Sequence, residues 1–241
     1  VSNSALKIFL GFDAREAQAY AVAARSIRAR TSHPVDIQSI SMGPLVDMGL
    51  YKRPTERRDG RLWDCISDAP CSTEHAIARF WVPVLCDFKG WAVFADCDIL
   101  CRADIAQLFA LANPTYAVMV VKHNYQPNES LKMDAQRQQP YPKKLWSSVT
   151  LWNNAHPAHR MLTWSDYLNL WPGRDLHAFR WMWEDQIGEL PHDWNHLVGI
   201  DAPNPNAKLV HHTLGTPDMP GYEDSEFADE WRAYLGAAVV A

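Results

Sequence analysis

Three consecutive segments at the N-terminus constrain the fold more than any other feature of this chain. "KIFLGF" (7–12) is short, apolar and closed by Gly and Asp, which predicts a buried strand. "DAREAQAYAVAARSIRAR" (13–30) follows with Asp13 at an N-cap position and Glu16 three residues on, the spacing of a capping box. Ala17, Tyr20, Ala24 and Ile27 then recur at helical intervals, and "VDIQSI" (35–40) is a second strand after the Pro34 break. Strand, helix, strand in that order predicts a crossover unit and a mainly parallel sheet, hence an α/β fold with helices on the sheet faces.

A second strand-like run, "WAVFADCDIL" (91–100), passes straight from apolar residues into Asp96 and Asp98. Positions two apart on a strand project to the same side, so the two carboxylates converge while Cys97 points away. Like charges held that close repel unless a positive group lies between them, and a divalent cation is the simplest such group. "LVHHTLG" (209–215) offers an imidazole, His211 or His212, that could complete the site. Arg79 in "AIARFW" is either a helix arginine reaching to solvent or a phosphate partner, and "MWEDQIG" (182–188) groups Glu184, Asp185 and Gln186.

The remaining segments read coarsely. Residues 43–61 form a polar, basic surface loop, and "STEHAIARFWVPVLC" (72–86) is a helix opened by Ser72 or Thr73 and bent or ended by Pro83. "YAVMVVKH" (116–123) and "WSSVTLWNN" (146–154) are strands, 127–144 a loop, and "PAHRMLTWSDYLNL" (157–170) a helix with Pro at its start. A final strand and a helix, "SEFADEWRAYL", complete the pattern. There is no P-loop motif and no Gly-rich dinucleotide fingerprint.

Composition enters as a set of exclusions. With 47% hydrophobic and 21% charged residues in 241, the chain has material for a core. A net charge of −5 argues against nucleic acid as a partner. No apolar run approaches the roughly 18–20 residues of a membrane span, which leaves room only for peripheral membrane contact. Five irregularly spaced cysteines without an export signal read as reduced thiols, and the expected location is cytoplasmic. The 11 tryptophans are expected mostly in the core and at interfaces.

Taken in order from about residue 7 to 222, these motifs resemble the GT-A glycosyltransferases of family 8, the retaining class related to glycogenin and bacterial lipopolysaccharide galactosyltransferases. The resemblance implies a Rossmann-like, mainly parallel central sheet flanked by helices, in a single catalytic domain over 1–241. Residues 1–125 would bind the nucleotide, and 126–241 the acceptor and sugar. It implies a hexosyltransferase taking a nucleotide sugar, UDP-glucose or UDP-galactose, to a glycan, lipopolysaccharide or other carbohydrate acceptor, with Mn²⁺ or Mg²⁺ as cofactor. By the same resemblance, Asp13 would contact the uracil and Arg79 the nucleotide sugar. Asp96, Asp98 and His212 would hold the metal, His212 because His212-x-x-Gly215 matches the family motif. Ser147 and Asn153 match the family's Asn-Ser-Gly-Val-x-x-x-Asn segment. Asp185 and Gln186 fall beside the donor sugar as nucleophile or oxocarbenium stabiliser. Where the family has a diphosphate-binding lysine this chain has Asp218, so the charge must be met by the metal, Arg79 or a lysine such as Lys143 or Lys144. Two rival readings accompany this one. The first is a catalytically silent nucleotide-sugar or carbohydrate-binding domain. The second is a haloacid-dehalogenase-type phosphatase, whose D-x-D sits on the first strand.

Overall fold

The computed structural model describes residues 4–125, 143–164 and 166–236. Its centre is a six-stranded sheet in the order Ile187–Glu189, Val118–Val120, Val149–Asn153, Trp91–Ala95, Leu6–Gly11, Val35–Ile40. Only Val149–Asn153 runs against its neighbours; the other pairings are parallel. This is the mainly parallel α/β arrangement that the N-terminal crossover predicts.

Alternation along these strands divides the core between the two faces. Phe9, Phe94, Val118, Val120 and Trp152 pack on one face with Phe80, Trp81, Phe179 and Trp181. Ile8, Leu10, Val93, Ala95, Met119 and Leu151 face the other side, where Ala23, Ala24 and Ile27 of the helix Ala17–Arg30 cover them. The tryptophans are largely structural: Trp81, Trp152, Trp194 and Trp231 are fully buried, while Trp164 and Trp183 are each 77% exposed. All five cysteines are free thiols.

Several expected elements are broken or replaced. The helix expected over 72–86 is a 3-10 turn, Ala78–Trp81, followed by one α-turn, Val82–Leu85, where Pro83 falls at the start. The helix expected over 157–170 is divided into the segments Pro157–Arg160, Met161–Trp164 and Tyr167–Leu170. Residues 43–61 are more ordered than a loop. They contribute to the short helix Met42–Asp47 and to a hairpin, Thr55–Arg58 with Arg61–Asp64. Most of the loop expected over 127–144 lies outside the described residues.

A small second sheet positions the site. Ile99–Cys101 pairs antiparallel with Leu209–His211, which pairs in parallel with His196–Leu197. A third feature is the buried ion pair Arg53–Asp64, whose side chains are 0% and 1% exposed. Arg53 Nε donates to Asp64 Oδ1 at 2.9 Å, and Nη1 donates to the carbonyls of Leu168 and Trp171, both at 2.8 Å. Ser67 accepts from the Gly173 N–H at 2.8 Å and donates to Asp64, so the pair anchors the start of the helix Gly173–His177. A Cβ at Gly173 would come 2.6 Å from Ile77 Cδ1, so a larger residue here would require the Ile77 side chain to shift.

Two outcomes follow for stability. Asp64→Ala strands a buried guanidinium and should cost about 3–5 kcal/mol in urea unfolding, whereas replacing both partners, Arg53→Met with Asp64→Leu, should recover much of it. His159 is buried beneath Trp152, its Nε2 donating to the Ala117 carbonyl at 2.9 Å. Burial above all pushes its pKa down to about 4. The unfolded imidazole titrates near ~6.5, so between these values the unfolded state binds more protons. Stability should be complete above about pH 6.5 and decline as pH falls toward 4. The decline in urea midpoint should be shallower in His159→Gln.

Candidate active site

The central strand Trp91–Ala95 ends inside a cleft of about 370 Å³ lined by both aspartates of the D-x-D motif. Asp96 and Asp98 do not sit on the strand itself. They lie on the turn between Trp91–Ala95 and Ile99–Cys101, and both side chains still reach the same cleft. The Asp96 N–H donates to the Ser148 carbonyl at 2.9 Å, which draws the residues before Val149–Asn153 against the motif. Cys97 is buried, and its thiol donates to Glu16 Oε2 at 3.3 Å. Glu16 is thus a third carboxylate in the cleft, and its pKa is raised by burial first and then by Asp98.

Arg79 answers part of this negative charge. Its Nη2 lies 2.8 Å from Asp96 Oδ1, Nη1 donates to the Ser147 carbonyl at 2.9 Å, and Nε donates to the Ala76 carbonyl at 3.1 Å. His75, one turn earlier, places Nε2 3.3 Å from the same Asp96 oxygen. Burial alone would raise the Asp96 pKa, but Arg79 and then His75 outweigh it and hold the carboxyl well below the usual range. His75 reaches this position over Gly11, where a Cβ would stand 2.5 Å from the imidazole ring.

The imidazole that joins the aspartates is His211. Ligand atoms of Asp96, Asp98 and His211 all lie within 4.8 Å of one another, and His211 Nε2 is 3.2 Å from Asp98 Oδ1. Register explains this. His211 pairs directly with Ile99, the residue after Asp98, so its side chain falls beside that carboxylate. Asn195 orients the ring, with Oδ1 3.0 Å from His211 Nδ1 and Nδ2 donating to Ser148 Oγ at 2.9 Å. His212, the ligand expected from the sequence motif, is outside this group; its backbone N–H donates to the Asp98 carbonyl at 2.9 Å. It lines the cleft, but both ring nitrogens are buried without a hydrogen bond among the described residues. Burial first lowers its pKa to about 4.

The other expected site residues divide. Ser147 lines the cleft, as the motif implies, and its Oγ lies 2.7 Å from Nδ1 of His177. His177 ends the helix Gly173–His177, packs edge-on against Phe80 at 5.1 Å, and was not anticipated. Leu145, also on the cleft wall, takes φ +68°, a conformation that costs a side-chain-bearing residue roughly 1–2 kcal/mol. Asn153 is elsewhere: it pairs with Trp91, five residues before Asp96 and roughly 16–17 Å away along the sheet at the strand rise. Its amide instead donates to the Pro114 and Tyr116 carbonyls.

Asp13 is a cap rather than a wall residue. It is buried, accepts from the Arg15 backbone, the Arg15 guanidinium and the Glu74 N–H, and is absent from the cleft lining. Burial would raise its pKa, yet these bonds bring it down to about 2. Arg15, which Asp13 holds, does line the cleft. Asp185 and Gln186 lie on the turn Glu184–Gln186 leading into the edge strand, Asp185 exposed, and neither lines the cleft. Gln186 Oε1 accepts from the Trp183 N–H at 2.9 Å. Asp218 accepts from Thr216 Oγ1, and Lys143 pairs with Glu184 at 2.6 Å; neither Asp218, Lys143 nor Lys144 lines the cleft. The polar cleft residues missed by sequence reasoning include Arg15, Glu16, His75 and His177, whereas His211 was one of the two imidazoles left open by the strand pattern. The i, i+4 spacing of His75 and Arg79 was the one legible signal among them.

Comparison with known proteins agrees with this architecture. No protein-family model matches the chain. Over 230 residues, 93% of this chain and 84% of the relative, it is 40% identical to Protein CDI of Arabidopsis thaliana. The apo structure of the bifunctional glycosyltransferase WbbM aligns over 99% of this chain with a TM-score of 0.60 and 15% identity. This chain spans about half, 51%, of that one. The galactosyltransferase LgtC, in complex with donor and acceptor sugar analogues, aligns over 98% of this chain and 97% of its own with a TM-score of 0.54 and 14% identity. At such identities the likeness is one of fold. A mainly parallel sheet with an acidic turn at the end of its central strand, and an extended relative at 40% identity, lead to one statement of kinship: the chain belongs to the family of Protein CDI and has the GT-A fold found in glycosyltransferases.

Proposed function

We propose that this chain is a retaining, metal-dependent glycosyltransferase that moves a hexose from a nucleotide sugar, UDP-glucose or UDP-galactose, to a carbohydrate acceptor such as a glycan or lipopolysaccharide. The observation that carries this reading is the convergence of Asp96, Asp98 and His211 within 4.8 Å at the floor of a 370 Å³ cleft. Two carboxylates and one imidazole fit Mn²⁺ or Mg²⁺, and the nitrogen ligand favours Mn²⁺. A cation held by these three residues would stabilise the negative charge that develops on the departing nucleoside diphosphate.

The chain's own groups supply the rest. Arg79 keeps Asp96 ionised and orients it, and Arg15 adds a second guanidinium to the cleft wall, where the family's lysine is replaced by Asp218. Ser147 and His177 form a hydrogen-bonded pair suited to gripping sugar hydroxyls. Retention needs a covalent intermediate or same-face attack. Among the described lining residues the carboxylates are Glu16, Asp96 and Asp98; two belong to the metal set and Glu16 is engaged by Cys97. This supports same-face attack over a covalent intermediate on Asp185. The phosphatase alternative is disfavoured because the D-x-D turn follows a later, central strand, not the first.

Titration calorimetry of UDP should reveal Mn²⁺-dependent binding that Asp96→Ala and Asp98→Ala each weaken at least a hundredfold. His211→Ala should weaken it more than His212→Ala; the reverse order would return the ligand role to His212. Absence of UDP binding under every metal condition would remove the donor assignment. For turnover, His177→Ala should lower UDP-sugar hydrolysis or transfer at least tenfold while changing UDP affinity only a few-fold. Nucleotide binding without any turnover in the unaltered chain would leave a binding domain instead.

A further inference from the structure

A second group of metal-ligating side chains lies outside the cleft. His123 follows the strand Val118–Val120, His192 opens the turn His192–Asn195, and Asp201 follows the strand His196–Leu197. We propose that His123, His192 and Asp201 form a second divalent-metal site, of the Zn²⁺ class, which does not depend on the glycosyltransferase reading. Their ligand atoms lie within 4.8 Å of one another, and none of the three lines the cleft.

Two observations carry this beyond proximity. His123 is 7% exposed, and its Nε2 is buried with no hydrogen-bond partner among the described residues. A buried imidazole nitrogen is normally satisfied, and a metal ion is one way to satisfy it. The second observation is geometry. His192 Nε2 is 3.5 Å from Asp201 Oδ2, and the His123 and His192 rings meet edge-on with centroids 5.2 Å apart. Tetrahedral Zn²⁺ with arms of ~2.0–2.1 Å needs ligand atoms about 3.3 Å apart, so one edge of the site is near its final length.

The surroundings resemble those of a supported site. The Leu197 N–H donates to Asp201 Oδ2 at 2.7 Å and aims the carboxylate, while the Trp146 indole donates to the His123 carbonyl at 2.9 Å. Such outer contacts orient metal ligands. His192 is 53% exposed, which gives an ion and a fourth, water ligand a path inward. Donor type also separates the two sites: two imidazoles with one carboxylate suit a borderline first-row ion such as Zn²⁺, whereas two carboxylates with one imidazole suit Mn²⁺ or Mg²⁺. The turn that begins at His192 ends at Asn195, which orients His211, so an ion here would steady that residue too.

The test uses the full chain carrying Asp98→Asn, which weakens the cleft site. Titration with Co²⁺ should give one equivalent of the visible absorption of four-coordinate Co²⁺, displaced by Zn²⁺. Adding His123→Gln or Asp201→Asn should weaken that binding at least tenfold. Because His123 is buried, His192→Ala serves as the variant that leaves packing intact: Zn²⁺ should raise the Tm of the Asp98→Asn chain and fail to raise it once His192→Ala is added. No Co²⁺ spectrum, or a spectrum and Tm rise that survive His192→Ala, would overturn the proposal.

Discussion

The ion pair between Arg79 and Asp96 is the contact on which the rest of the site depends. Asp96 sits at the end of the central strand, where burial would otherwise protonate it and remove its usefulness as a ligand. Arg79 keeps it charged, and the same guanidinium bonds the Ser147 and Ala76 carbonyls. One side chain thereby joins three stretches of chain far apart in sequence. Its flat face also lies over Phe94, 4.8 Å from the ring centroid. A buried pair of this kind adds little net stability, but removing either partner leaves an uncompensated charge. The pair is therefore better understood as fixing geometry than as strengthening the fold.

Around that pair the cleft concentrates negative charge. Asp96, Asp98 and Glu16 all face it, and the raised pKa of Glu16 records their mutual repulsion together with burial. The cations on the cleft are Arg79 and Arg15, with the His75 ring beside Asp96. Under the proposed function, this charge pattern would suit a divalent cation beside the aspartates and an anionic ligand beside the arginines. The positioning elements are short and held by buried polar bonds, as with Arg53, Asp64 and Ser67 at the start of the helix bearing His177. This explains how a chain with few long helices still presents a defined constellation.

Local patterns were reliable wherever one element dominated its own surroundings. The first strand, the helix after Asp13 and the second strand emerged where the sequence pattern placed them: the first strand is buried on both faces of the sheet, and the helix covers one of those faces. The stretch 72–86 did not. Its apolar residues are buried nearly all round, so periodicity could not distinguish a continuous helix from two short turns, and Pro83 interrupts the ladder. The basic stretch at 55–64 reads as a loop because its strands are mostly exposed, yet Asp64 is buried by a partner, Arg53, that no local signal identifies.

The sequence by itself determined the α/β class, from strand–helix–strand order, and the pairing of Asp96 with Asp98, from their short spacing, although the two carboxylates meet on a turn and not by alternation along a strand. Tertiary structure alone decided which imidazole joins the aspartates. His211 and His212 are adjacent, and strand register, set by pairing with Ile99, selects between them. It likewise decided that His177 rather than Asp185 stands on the cleft wall, and that Asn153 lies at the far end of its strand. Contacts between segments more than 60 residues apart depend on register and packing, and neither is written in the spacing of one segment.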